Sequence, residues 1–291
     1  MKGKKVLVVG LGRTGIAAAK RLHEAGAEAA ITDARPESEL SEAVNALPSS
    51  VKTFLGGHTE AMNQSFDLVV TSPGVPWKSV ILEHFRNAGT ETISEIELAY
   101  RLSRAGWIAV TGTNGKTTTT SIIGAMLNEA GIKNTVCGNI GNPAIGEDAI
   151  FDGDATIVAE ISSFQLEGVS EFRPRIAALL NIAPDHLDRH GTMEEYTNLK
   201  LRVFARQSKD DIAVINIDDA AVAGLSGKIA SRIFGFSVHG KPGNGAFVED
   251  GTIKVSGERG CVALGNAGDL KVLGLPNLEN ALAACAVAHC A

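Results

Sequence analysis

Lys116, Thr117, Glu160 and His186 are of the types that handle phosphate and divalent metal, and their settings suggest that they do so together. Lys116 and Thr117 lie in Val110–Thr120, VTGTNGKTTTT, directly after the apolar run 107–110. A strand, a glycine turn and a helix that opens on Lys-Thr present backbone N–H groups to an anion. The lysine then reaches terminal phosphates and the hydroxyl touches Mg²⁺. The standard loop of this kind has another glycine where Val110 stands, so this one is the shorter Gly112, Thr113, Asn114, Gly115, Lys116, Thr117, with Thr118 following. The loop is read as holding the phosphates of ATP. Glu160 ends the run TIVAE, and His186 follows the run IAALLN. Ligands collect at the carboxyl ends of parallel strands, so these residues should converge on one edge and hold Mg²⁺ jointly with ligand oxygens.

A second glycine turn stands near the start. Gly10, Gly12 and Gly15 match G-x-G-x-x-G after a strand and before a helix, with Asp33 where a ribose-binding acid is expected. The motif alone leaves three readings open: NAD, another ribose nucleotide, or a tight strand-to-helix turn. Lys200, in YTNLKLRVF, sits on a predicted helix, where a lone lysine is ordinarily solvated surface.

The elements that must position these residues alternate as in a parallel α/β sheet. Strands are expected at KKVLVV, EAAIT and 67–71, with a helix over 14–25. After a break at 90–95, which could serve as a hinge, Ser94 and Glu97 have the spacing of a capping box. They predict a helix over 95–103 that opens a second domain. The rhythm resumes with WIAVT, a helix after Lys116, TIVAE, IAALLN, a helix over 193–206 and IAVINI. From Phe234 short strands follow, with Asp250-Gly251 marking a tight primed turn, and an amphipathic helix is expected over 278–288. The fold class is therefore α/β: a Rossmann-like parallel domain over 1–93, and a P-loop ATPase-like domain over 94–291 with a small antiparallel appendage.

Composition restricts the partners. The net charge of −6 makes nucleic acid an unexpected partner, since phosphate backbones require concentrated basic surface. Apolar stretches are too short or too interrupted, for example by Pro276, Asn277, Glu279 and Asn280, to make a membrane partner expected. Cys137, Cys261, Cys285 and Cys290 show no CxxC pairing, which argues against a zinc or disulfide framework and for a cytoplasmic location.

In combination, GTNGKTTTT, GNIG at 138–141, EISSFQLE at 160–167, DHLDRH at 185–190, NLKLR around Lys200 and PNLENALAA from Pro276 resemble the Mur ligase family. GLGRTG with the SPG at 72–74 narrows the resemblance to the branch that adds D-glutamate, and the similarity runs through essentially all of the chain. That resemblance implies an ATP-dependent ligase of peptidoglycan assembly. Its substrates would be UDP-N-acetylmuramoyl-L-alanine and D-glutamate, joined through an acyl phosphate, and a monomer would be expected. Lys116 would neutralise the transferring phosphoryl group, Thr117 and Glu160 would hold one Mg²⁺, and His186 a second. Lys200 matches a lysine that the family carbamylates, which would make it a further Mg²⁺ ligand.

By the same resemblance Arg13, Thr14, Asp33, Ala34, Arg35, Ser72 and Gly74 would receive the UDP portion. Asn139, Ser162 and Gln165 would face the muramoyl and alanyl part, and Asn277 and Asn280 the adenine of ATP. The family's C-terminal amino-acid-binding domain has no counterpart in this sequence. The chain is therefore expected to bind the UDP substrate, to bind ATP weakly, and to ligate D-glutamate slowly or not at all. Competing readings are an L-alanine-adding ligase of the same family, an NAD-dependent dehydrogenase, and a nucleotide-binding module without catalysis. EISSFQLE favours the D-glutamate branch, and a dehydrogenase leaves GTNGKT unexplained.

Overall fold

The short apolar runs become strands, and the stretches between them helices, in the computed structural model, which describes residues 1–258, 260–271 and 274–291. The chain divides into two units. One is Met1–Ser103 with Asn142–Ile150 and Phe164–Phe172, and the other is Arg104–Gly141, Phe151–Ser163 and Arg173–Ala291.

The first unit is built on a five-stranded parallel sheet of β1 (Lys5–Val9), β2 (Glu28–Asp33), β3 (Lys52–Leu55), β4 (Leu68–Thr71) and β5 (Glu91–Ser94), in the order β3-β2-β1-β4-β5. Four consecutive residues of β1 and all of β4 are buried, as expected of strands covered on both faces. The helix Arg13–Glu24 buries Gly15, Ala18, Ala19 and Leu22, a spacing of three and four that defines one helical face. Strand order reverses beside β1, so the first glycine loop leaves the sheet at the point where such sheets bind ligands.

Two later segments complete this unit. The Arg21 guanidinium donates to the carbonyls of Ile145 and Gly146 and to the carboxylate of Asp148. On the helix Glu95–Leu102, the fully buried Glu97 carboxylate accepts from the amides of Ser170, Glu171 and Phe172 at 2.9–3.0 Å and from Arg101 at 2.7 Å. The expected capping box is therefore absent. Ser94 makes no side-chain cap, and the reciprocal half is lost as well, since the Glu97 carboxylate is committed to the amides of the later segment and the Ser94 N–H donates to Gly168 O. The helix expected to open a second domain lies in the first unit for the same reason.

The second unit carries a nine-stranded sheet ordered β14-β13-β12-β11-β10-β9-β6-β8-β7. Its strands are β6 (Gly106–Thr111), β7 (Asn134–Gly138), β8 (Thr156–Glu160), β9 (Ile176–Leu179), β10 (Ile212–Asn216), β11 (Arg232–Ser237), β12 (Gly245–Glu249), β13 (Thr252–Gly257) and β14 (Gly260–Asn266). Pairing is parallel from β7 to β12 and antiparallel between β12, β13 and β14. Asp250 and Gly251 both take positive φ, 50° and 73°, as a primed hairpin turn requires. The antiparallel strands continue the main sheet rather than forming an appendage, because β12 pairs in parallel with β11.

The helix expected over 193–206 runs Met193–Leu201 and tightens into a 3₁₀ turn at Arg202–Phe204. The last helix, Leu275–Cys290, is buried at every residue from Asn280 to Val287, so it is a core helix where an amphipathic one was expected. Its Leu282–Val287 stretch joins Ile108, Val110, Ile123 and Val158 in the core beneath the sheet. Cys261, Cys285 and Cys290 are free thiols. Among the described residues no helix is long and apolar enough to cross a membrane.

Candidate functional site

The second glycine loop leaves the carboxyl end of β6 and enters the helix Lys116–Glu129. Gly115 caps that helix at φ 82°, a left-handed conformation. A Cβ there would stand 2.1 Å from Asn280 Oδ1, so the loop is pressed onto a side chain that only glycine admits. Asn280 is buried and accepts from Thr119 Oγ1 at 3.3 Å. Asn277 stands in the first turn of the same helix as Asn280 and is partly exposed. The other side of the loop is tied to the end of β9. Asn114 N donates to Asn181 Oδ1 (2.8 Å), Asn181 Nδ2 donates to Asn114 O (3.1 Å), and Thr113 N donates to Asn181 O (3.0 Å). Asn181 was not singled out in the sequence. The signal for it was an amide at the mouth of a parallel strand, beside the loop.

Two lysines meet on one carbonyl. Lys116 Nζ donates to Gly112 O at 3.0 Å and to Thr113 O at 2.7 Å, and Lys200 Nζ donates to Gly112 O at 2.7 Å. Lys200 is 1% exposed and lies over the Tyr196 ring, 4.5 Å from its centre. Tyr196 OH and Thr113 Oγ1 share a hydrogen bond of 3.3 Å. Burial, and then the Lys116 charge, pull Lys200 down to about 7 against the opposing charge of Asp185. Burial also lowers Lys116, against Glu160 and Asp185. The helical lysine that resembled surface is thus a buried amine beside the second glycine loop, half-neutral near pH 7.

Glu160 is buried at the end of β8, and both its oxygens are engaged. Oε2 accepts from Thr117 Oγ1 and Oε1 from Asn139 Nδ2, each at 2.7 Å. Thr118 follows on the first turn of the helix. His186 takes a left-handed φ of 49° at the start of the short helix Leu187–His190, half-exposed, with Nε2 3.5 Å from Asp185 Oδ2. Among the described residues no three His, Cys, Asp or Glu side chains gather into a ready-made metal cage. The donor set is instead a hydroxyl and a carboxylate already in contact. That fits Mg²⁺, which keeps several ligand or water oxygens and takes few from protein.

The first glycine loop is built differently. A Cβ on Gly15 would fall 1.9 Å from Gly10 O, so the helix Arg13–Glu24 approaches β1 as closely as backbone allows. Ser72 Oγ, at the end of β4, donates to Gly10 O at 3.1 Å. Asp33 receives four donors: Leu11 N and Arg35 Nη2 on Oδ2, Arg35 N and Nε on Oδ1, all at 2.8–3.0 Å. Burial acts to raise the Asp33 carboxyl, but the Arg35 guanidinium and the Arg35 and Leu11 amides outweigh it and hold it at about 2. Four donors saturate a carboxylate, so Asp33 braces the loop and cannot also take two ribose hydroxyls in this geometry. Arg13, Ala34, Arg35 and Gly74 are exposed around this edge, and Thr14 is partly exposed.

Of the remaining residues singled out, Asn139 is exposed and Ser162 partly exposed, both in the second unit. Gln165 belongs to the first unit and is buried, with Nε2 donating to Glu95 Oε1 at 2.8 Å. Ser163 Oγ and His190 Nε2 share a hydrogen bond of 3.0 Å, so the second histidine of DHLDRH meets the second serine of EISSFQLE.

Comparison with known proteins agrees along the whole chain. A model of the Mur ligase middle domain matches residues 110–288, and one of the MurD-like N-terminal domain of Mur ligases matches residues 4–94. A UDP-N-acetylmuramoylalanine--D-glutamate ligase of Geobacter metallireducens is 44% identical over 98% of this chain and 63% of its own length. One from Clostridioides difficile is 41% identical over 99% and 64%. The chain thus spans a little under two thirds of the length of these relatives. Among solved structures, the UDP-N-acetylmuramate:L-alanyl-gamma-D-glutamyl-meso-diaminopimelate ligase of Neisseria meningitides superposes with a TM-score of 0.63 at 19% identity, covering 99% of this chain and 94% of that one. At that identity the likeness speaks for the fold.

Proposed function

The chain belongs to the Mur ligase family, and we propose that it carries the UDP-substrate and ATP sites of an enzyme that adds D-glutamate to UDP-N-acetylmuramoyl-L-alanine through an acyl phosphate. In this reading the first glycine loop and its sheet, within residues 1–93, receive the UDP portion, and the second glycine loop, within residues 94–291, handles ATP. The observation that carries it is the cluster at the second loop: Lys116 and Lys200 on the Gly112 carbonyl, with Thr117 and Asn139 on the Glu160 carboxylate.

Forming an acyl phosphate requires two anions, a carboxylate and the γ-phosphate, to be brought into line. Alignment and charge neutralisation therefore matter more than acid or base catalysis. Lys116 is held at the loop by two carbonyls. Exchanging those carbonyls for phosphate oxygens keeps the ammonium compensated while it neutralises the transferring group. Gly112 to Thr118 supply the loop amides and helix N-terminus, and Asn280 supports the loop from beneath, with Asn277 on the side of the adenine. Thr117 and Glu160 would hold one Mg²⁺ and His186 a second. When bound, the metal supplies charge neutralisation at the phosphates.

Lys200 would join the set as a carbamate. Its buried amine, at about 7, holds a substantial neutral fraction near pH 7. A neutral amine attacks CO₂, forms the N–C bond and loses a proton, and so exchanges a cation for a carboxylate able to bind Mg²⁺. In the first unit Arg13, Thr14, Ala34, Arg35, Ser72 and Gly74 would receive the UDP portion, and Asp33 would act by bracing Arg35 and Leu11. Asn139, Ser162 and Gln165 would meet the muramoyl and alanyl part. A cytoplasmic monomer is the expected setting.

The saturation of Asp33 weighs against NAD, whose ribose would require that carboxylate. Calorimetric titrations with UDP-N-acetylmuramoyl-L-alanine and with NADH under one set of conditions test the reading. Saturable binding of the UDP ligand with none of NADH is expected, and the reverse would overturn it.

A further inference from the structure

The later segment Phe164–Phe172 closes onto the helix Glu95–Leu102 through two buried carboxylates, which are held very differently. Glu97 receives the amides of Ser170, Glu171 and Phe172 and the Arg101 guanidinium, which compensate its charge. Glu95 is 1% exposed. Its Oε1 accepts one hydrogen bond, from Gln165 Nε2, and its Oε2 has no hydrogen-bond partner. The fit beside them is close: Ser94 N donates to Gly168 O at 3.0 Å, and a Cβ on Gly168 would stand 2.3 Å from that nitrogen. With the segment seated, water scarcely reaches Glu95.

No cation answers this carboxyl. On its own helix stand Glu97, Tyr100 and Arg101, β5 brings Glu91, the helix Arg13–Glu24 brings Arg21, and the later segment brings Glu167 and Glu171. The other charged side chains of the helix Arg13–Glu24 are exposed, and neither β4 nor the turn Ala144–Gly146 carries a charge. Both arginines are engaged elsewhere, Arg101 with Glu97 and Glu91, and Arg21 with Glu24 and Asp148. Among the described residues Glu95 has Gln165 alone. Burial therefore dominates and raises the Glu95 carboxyl to about 7, with the Gln165 hydrogen bond acting against it. A neutral acid suits this place and a carboxylate does not.

We propose that Glu95 is a pH-sensitive latch within the first unit: with its proton it holds the segment Phe164–Phe172 against the helix Glu95–Leu102, and on losing it loosens that segment locally. Glu97 is then the fixed fastening and Glu95 the adjustable one. Ionisation with the segment seated leaves a charge on one hydrogen bond, and lifting the segment hydrates it. The carboxyl ionises near 4.5 when exposed and near 7 when seated. Support for the seated state is therefore full below pH 4.5, declines as pH rises, and levels off above about 7. The inference goes beyond the function proposed above and does not depend on any ligand assigned there.

Hydrogen exchange at the Ser94, Ser170, Glu171 and Phe172 amides of the whole chain tests it, between pH 5.5 and 7.5, with each rate divided by that of an unstructured peptide at the same pH. Glu95→Gln is the comparison, since glutamine keeps the volume and an oxygen for Gln165 but cannot ionise. Protection in the wild type is expected to fall by about twentyfold across this range. In Glu95→Gln it should stay level, which leaves the variant better protected than the wild type at pH 7.5. A fall of the same size in both proteins, or none in the wild type, would overturn the inference. Amides of β6, in the second unit, serve as the reference. A parallel wild-type fall there would mean that Glu95 loads the whole fold rather than one segment, and would overturn it as well.

Discussion

The two glycine loops share a plan and differ in what surrounds them. Each leaves an interior parallel strand, β1 or β6, and each leads into a helix. In the first loop the nearby charge is self-contained, because Arg35 and the loop amides satisfy Asp33 completely. In the second, two lysines crowd one carbonyl with no carboxylate bonded to either, and burial lowers both. In the proposed reading both loops serve as anion-binding turns, and the residual charge distinguishes them. A balanced loop can cradle a diphosphate by backbone and shape, whereas an excess of buried cation calls for a triphosphate and its transfer chemistry.

The largest effect that would break this contrast is functional. Lys116→Ala is expected to reduce ATP binding or use by about 100-fold or more, since a charge on the transferring phosphoryl group is lost. UDP-ligand affinity should stay unchanged in paired titrations. An equal loss of both ligands would mean that the loops do not serve separate sites.

The glycines sharpen the contrast through stability. Gly15→Ala places a methyl 1.9 Å from a backbone oxygen, which cannot step aside. A loss of about 3 kcal/mol or more in urea unfolding is expected. Gly115→Ala meets the Asn280 side chain instead. It should cost about 1–2 kcal/mol of left-handed strain plus a clash, and Gly115→Ala with Asn280→Ala should lose less than the two singly added.

Lys200→Met tests the cation excess directly. A lysine lowered to about 7 is charged and buried below that pH. Wild-type stability should therefore rise as pH climbs from about 7 toward 10.5, because the unfolded chain holds a proton the folded one has lost. The variant lacks this slope and should be more stable at pH 6 by about 1–3 kcal/mol, measured by chemical denaturation. ATP-dependent function should fall at the same time.

The smallest effect belongs to the balanced loop. Asp33→Asn should cost about 1 kcal/mol at neutral pH, since Arg35 is exposed and solvent screens the pair. The Asp33 contribution is present above pH 3.8 and is lost as pH falls through about 2, so the two proteins should converge in strong acid.

Much of the strand pattern and both loops were legible in the sequence, because local period and glycine spacing encode them. Lys200 was legible only through its resemblance to relatives, since nothing local distinguishes a buried helical amine from a solvated one. Asp33 resembled a ribose acid, and the Asp-x-Arg spacing that saturates it was the overlooked signal. The capping box failed at Glu97, whose partners lie more than seventy residues later. Long-range use of one polar side chain overrides a local pattern, and no periodicity reports it. The last helix misled for a related reason: its alanines tolerate burial on every side, so its polar residues did not mark a solvent face.

The interrupted make-up of the first unit has a consequence for how the protein is born. Its sheet is finished by residue 94, yet Arg21 waits for 145–148 and Glu97 for 170–172. The stretch between includes β6, the phosphate loop and the helix behind it. A ribosome must therefore deliver the whole second glycine loop before the amino-terminal unit can make these contacts, although chains generally fold from the front. The last contacts of the first unit are available by residue 172, whereas Lys200 and Asn280, which meet the second loop, come later, so the two units are completed in sequence rather than together.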